Sequence, residues 1–130
     1  MRIFAFSGLR RWWIAAGVLI VAAIWIGSLM PAPPRMPGGD KIHHFAAYAL
    51  CSFFWCALAT RLRDKVMCVI GVALMGVLIE FLQGVSGLRH FESADMIANA
   101  LGALTGGVFT LLIPRTLYSP TAVSSTSTAP

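Results

Sequence analysis

Charge is scarce in this sequence. Asp, Glu, Lys and Arg make up 12% of its 130 residues, about half the share of an ordinary soluble domain. That speaks against a soluble globular enzyme. Wholesale disorder is excluded too, because it needs low hydrophobicity and high net charge; here 58% of residues are hydrophobic and mean hydropathy is +0.78. Cysteine is equally thin. Three residues cannot build a disulfide scaffold, and their odd number leaves one over. There is no CxxC, HExxH, Walker, dinucleotide or GxSxG pattern, so zinc, nucleotide and serine-hydrolase chemistry find no support in motif spacing. No long basic patch exists either. The net charge of +5 therefore implies no nucleic-acid partner: the basic residues stand at the ends of apolar runs, where membrane topology explains them.

Four apolar stretches are present, each near the length that crosses a bilayer. They run over about 12–30, 42–60, 66–83 and 96–113. The first is free of charge and opens on Trp12-Trp13, suited to an interfacial anchor. Its length and the prolines after it predict a retained helix rather than a cleaved leader. The connections are short: a Pro/Gly-rich link over Pro31–Lys41, a charged turn over Arg61–Lys65 and a polar loop over Gly84–Ala94. The expected fold is all-α, an integral membrane four-helix bundle with one domain over 1–113. Residues 114–130, rich in Ser, Thr, Ala and Pro, are expected to be a disordered tail. With the N-terminus inside, Arg2, Arg10, Arg11, Arg61, Arg63, Lys65 and Arg115 fall on the cytoplasmic side. Only Arg35, Lys41 and Arg89 fall outside. That bias puts both termini in the cytoplasm.

The last three stretches carry polar stripes at helical spacing. Asp40, His44, Tyr48, Cys51 and Trp55 share a face of the second. Gly76, Glu80, Gln83 and Gly87 share one on the third, and Asp95, Asn99, Gly102 and Gly106 one on the fourth. Four antiparallel crossings bring the polar ends together at the outer surface, as a cup. An ionisable group inside a membrane helix costs roughly 2.5 kcal/mol or more, so Glu80 needs a partner. Lys41, His44 and Arg89 are candidates, and Arg89 could bridge Glu80 and Asp95.

Several of these features also have plain structural roles. Ser93 suits an N-cap with Asp95 in the first turn. Asn99 suits interhelical glue, and Gly102 with Gly106 forms a GxxxG packing pair. The cysteines read as inert buried thiols. His43, His44, Glu80, Glu92 and Asp95 are ligand types, but their spacing matches no zinc pattern, so no metal or other cofactor is expected. What the structural roles leave unexplained is the gathering of polar groups at one end of three helices.

Asp40-Lys41-x-x-His44 followed by Tyr48, then Glu80-x-x-Gln83, Arg89, Asp95, Asn99 and Gly102, together resemble the VanZ-like family over about Asp40 to Gly107. One departure is Gly87-Leu88, where a proline–glycine turn is expected. The resemblance implies a small multi-pass protein of the bacterial inner membrane with a cell-envelope role, in a family named for low-level teicoplanin resistance. Three functions remain open. The leading one is a cup that binds the head group of an envelope lipid or lipoglycopeptide. Lys41 and Arg89 would touch anionic groups, Tyr48 and Trp55 would line the apolar wall, and Glu80, Gln83, Asp95 and Asn99 would orient the basic residues. The second is a structural subunit or scaffold, with homo-oligomers included. The third is an enzyme on a lipid-linked substrate, with His44 as base, Asp40 orienting it and Glu80 as acid; no residue stands out as a nucleophile.

Overall fold

A computed structural model describes residues 7–31, 39–87 and 90–113. These form four helices, α1 (Ser7–Leu29), α2 (Gly39–Leu58), α3 (Leu62–Ser86) and α4 (Ser93–Phe109), with no strand among the described residues. The all-helical expectation is met. The expectations for the tail at 114–130 and for Arg35 and Arg89 lie outside the described residues, as does most of the Pro/Gly link.

The helices are offset from the apolar runs that announced them. Hydropathy marks where a helix is oily, whereas polar end turns continue the same backbone hydrogen bonding. So α2 opens at Gly39 and takes Asp40 and Lys41 into its first turn, and α3 takes in Asp64. Both carboxylates sit at the positive end of a helix dipole. α3 ends on Gly87, whose φ of 68° lies in the left-handed region that a residue with a Cβ avoids. Glycine without the expected proline is thus enough to stop the helix. α4 begins with Ser93 as its first helical residue. The N-cap is Glu92, without a side-chain cap bond; its carboxylate accepts from Lys41 instead, at 3.2 Å. Ser93 is therefore not the cap its type suggested.

Neighbouring helices run antiparallel, as contacts at both ends require. At one end Trp13 Nε1 donates to the Phe54 carbonyl at 2.9 Å, and the two rings stack with centroids 4.5 Å apart. At the other end Gln83 Nε2 donates to the Ser28 carbonyl at 2.6 Å. The tightest contact is α2 against α4. A Cβ on Gly102 would run into the Phe45 carbonyl oxygen, and one on Gly106 into that of Ala49. Only glycine allows two backbones this close.

Polar side chains share the interior with a small apolar core of Ile24, Val72 and Ile79, while the surface is oily. Glu80, Gln83 and Asn99 are each 1% exposed, whereas Leu19, Leu74, Phe81 and Leu112 are all more than 60% exposed. Two helices, α1 over Arg10–Leu29 and α3 over Leu62–Ser86, are long and apolar enough to cross a membrane. α2 carries Asp40, Lys41 and two histidines near its start. α4, with 17 residues, is about 25 Å long, roughly one turn short of a 30 Å hydrocarbon core.

Candidate functional site

The polar stripes meet as their periodicity requires. His44 and Tyr48 of α2, Glu80 and Gln83 of α3, and Asp95 and Asn99 of α4 are all buried. They lie where the start of α2, the end of α3 and the start of α4 converge. Gly76 makes room for them: a Cβ there would stand 2.9 Å from both the Asn99 Cβ and the Tyr48 ring.

His44 is the centre of the cluster. Its Nδ1 lies 3.0 Å from Asn99 Oδ1. A carbonyl oxygen only accepts, so Nδ1 carries the proton. Nε2 then faces Asp40 Oδ1 and Asp95 Oδ2, each 3.8 Å away and beyond hydrogen-bond range. Asn99 on α4, rather than Asp40 one turn earlier on α2, therefore makes the hydrogen bond that orients this imidazole.

Lys41 spans the rim. Its Nζ donates to Glu92 Oε2 at 3.2 Å and lies 3.7 Å from Asp95 Oδ1. The Glu92 hydrogen bond, then the charges of Asp95 and Glu92, hold the ammonium above its ordinary range. So Lys41 serves Glu92 and Asp95, while Glu80 sits deeper, within electrostatic reach of the Tyr48 phenol. Among the described residues, Tyr48 Oη, Asp95 Oδ1 and Asn99 Nδ2 are buried without a hydrogen bond. Arg89, expected beside Glu80 and Asp95, lies outside the described residues.

Beside the cluster a cavity of ≈ 380 Å³ opens between α1 and α2. Ile20, Ala23, Ile24 and Ala47 form its apolar wall, and Asp40, His43, His44 and Tyr48 its polar end. Tyr48, expected in the apolar wall, thus stands at the polar end of this cavity. Trp55 packs near Gly17 of α1, 3.2 Å from where a Cβ there would stand, and is not among the residues that line this cavity.

The stripes run further than the residues first singled out. On α2 the same i+4 track continues to Ser52 and Cys56, and on α4 it continues from Gly106 to Thr110. Ser52, Cys56 and Thr110 are all buried. Ser52 lies against Cys56, and Cys56 and Thr110 meet Lys65, whose Nζ donates to Thr110 Oγ1 at 2.8 Å and to the Thr110 carbonyl at 3.2 Å. The spacing alone would have found Ser52 and Thr110. Lys65 gave no signal beyond its charge.

A family model described as VanZ/LLP1 matches residues 3–114. The chain belongs to the VanZ/LLP1 family. A curated relative, uncharacterized protein C11E3.10 of Schizosaccharomyces pombe, is 32% identical over 88 residues, covering 65% of this chain and 53% of its own length. The chain thus spans about half of that relative. The relative is fungal, so likeness at this level does not by itself place a chain in bacteria. No solved structure matches.

Proposed function

We propose that this VanZ/LLP1 protein is a four-pass protein of the bacterial cytoplasmic membrane, with both termini inside. Its outward polar cup binds the head group of an envelope amphiphile, a lipid-linked precursor or a lipoglycopeptide. The inverted distribution of polarity supports four crossings. The polar faces of α2 and α4 are turned inward, while Ile97, Leu101, Leu104 and Val108 cover the outside of α4. A surface that oily suits acyl chains. The basic residues favour the stated orientation.

The observation that carries the binding role is the cavity beside the cup. One end is polar and the rest is apolar, which matches an amphiphile with its chain along α1 and its head at Asp40, His43 and His44. The test is native mass spectrometry of protein extracted gently from its own membrane. The wild type should carry a discrete amphiphile. Ala23→Phe, which fills the apolar wall, should lose it, and Arg89→Ala should weaken its retention. A wild type that emerges without any bound amphiphile would overturn this function.

A further inference from the structure

We infer that Asp40, His44 and Asp95 form a binding site for one divalent transition-metal ion of the Zn2+ or Mn2+ class. The three residues come from two helices, so no run of sequence contains the set. One ligand atom from each lies within 4.8 Å of the others.

Three features point to an ion. The first is the tautomer. Asn99 Oδ1 accepts from Nδ1, so in the neutral form of the ring, the form a metal takes, the Nε2 lone pair faces two carboxylate oxygens. A histidine whose far nitrogen is held by an amide oxygen is the usual support of a metal-bound imidazole. The second is distance. Nε2 is 3.8 Å from each carboxylate oxygen, too long for a shared proton. Ligand atoms on a tetrahedral ion with bonds of about 2.1 Å stand about 3.4 Å apart, so an ion would draw in the two Nε2 gaps by about 0.4 Å and the widest pair by up to about 1.4 Å. The third is burial. Asp95 is 95% buried by its 5% exposure, and its Oδ1 has no hydrogen bond among the described residues. Among the described residues, the lysine ammonium beside it is that of Lys41, 3.7 Å off at the rim. A buried carboxylate held this loosely gains from a cation.

One imidazole and two carboxylates suit Zn2+ or Mn2+ better than a thiol-seeking ion. Three protein ligands leave coordination positions over. Asp40 and His44 also line the cavity, so an anionic group lying there would be in reach of the ion. The ion site itself stands without the amphiphile.

The test is calorimetric titration of the full chain in detergent, stripped with chelator, with Zn2+ and separately with Mn2+. Mn2+ does not favour thiolates, which sets the three cysteines aside. One ion per chain is expected. Asp95→Asn should weaken binding at least about 100-fold, and Asn99→Ala about 10- to 100-fold. Lys41→Met should tighten it, by about 3- to 10-fold, because a repelling charge leaves the rim. That gain separates an ion site from a purely structural ion cluster. His90→Ala, an exposed histidine outside the set, should change nothing. If Asp95→Asn does not fold, the less buried Asp40→Asn carries the same expectation. No stoichiometric binding by the wild type, unchanged affinity in the Asp variants, or loss in His90→Ala would each overturn the site.

Discussion

The two ends of the bundle use similar residue types and finish them differently. At the end built on Lys65, donors meet acceptors. Lys65 donates to the Thr110 hydroxyl and carbonyl, the Thr110 hydroxyl donates to the Gly107 carbonyl at 2.7 Å, and the Cys56 thiol donates to the Lys65 carbonyl at 3.5 Å. At the end built on His44, buried polar atoms of Tyr48, Asp95 and Asn99 stand without hydrogen bonds among the described residues. An unpaired buried polar group costs about 1–3 kcal/mol. A protein can close such a cluster with side chains and backbone, as the Lys65 end does. On the binding role proposed above, the His44 end, whose atoms lack these bonds among the described residues, is the end that takes the ligand.

The largest effect should come from the seam that joins the two ends. Gly106→Leu drives a side chain into the Ala49 carbonyl. It should cost about 3 kcal/mol or more and separate α4 from α2. Loss of a monodisperse peak in detergent, together with a collapsed thermal midpoint, would register it. If the variant behaved as wild type, the close α2–α4 approach would be wrong, and with it the meeting of Asp95 and His44.

Lys65→Met comes next. It strips the donor from Thr110 and should lower stability by about 1–3 kcal/mol, measured as the thermal midpoint. Retention of the co-purifying amphiphile by the folded fraction should not change. A variant that kept its stability but lost the amphiphile would reverse the roles assigned to the two ends.

Asn99→Leu should show the opposite pattern. It removes the hydrogen bond to His44 and also a buried Nδ2 without a hydrogen bond among the described residues, so gain and loss offset to within about 1 kcal/mol. Binding should fall while the midpoint hardly moves. A large drop in stability with binding intact would make the His44 end as structural as the other.

The difference between the ends also explains what the sequence reveals. Periodicity alone placed His44, Tyr48, Glu80, Gln83, Asp95 and Asn99 on buried faces, because in a bundle with an oily outside a polar stripe has only one place to go. The same logic gave Gly102 and Gly106 to a close contact. Pairings across helices were beyond it. That His44 bonds Asn99 rather than Asp40, or that Gln83 reaches the Ser28 carbonyl, depends on axial register. Register is set by the sum of side-chain contacts along two helices and leaves no periodic trace. Helix ends were misplaced for another reason: hydropathy falls before the backbone unwinds, as Gly39–Lys41 and Asp64 show.

The smallest effect is at the rim, where Lys41 is about half exposed. Its ammonium is held above the ordinary 10.5, first by the Glu92 hydrogen bond and then by Asp95. A group whose pKa rises on folding adds stability that is fully present below its unfolded value and is lost as pH climbs through the folded one. The stabilising rim contact should therefore hold from neutral pH to about 10.5 and fade above it. Thermal midpoints of the wild type and Lys41→Met, measured in metal-free buffer from pH 7 to 11.5, should differ by a small constant amount and then converge. A difference that instead vanished on the acidic side would mean that the contact depends on losing charge from Glu92 or Asp95, and the rim would then respond to the carboxylates rather than to Lys41.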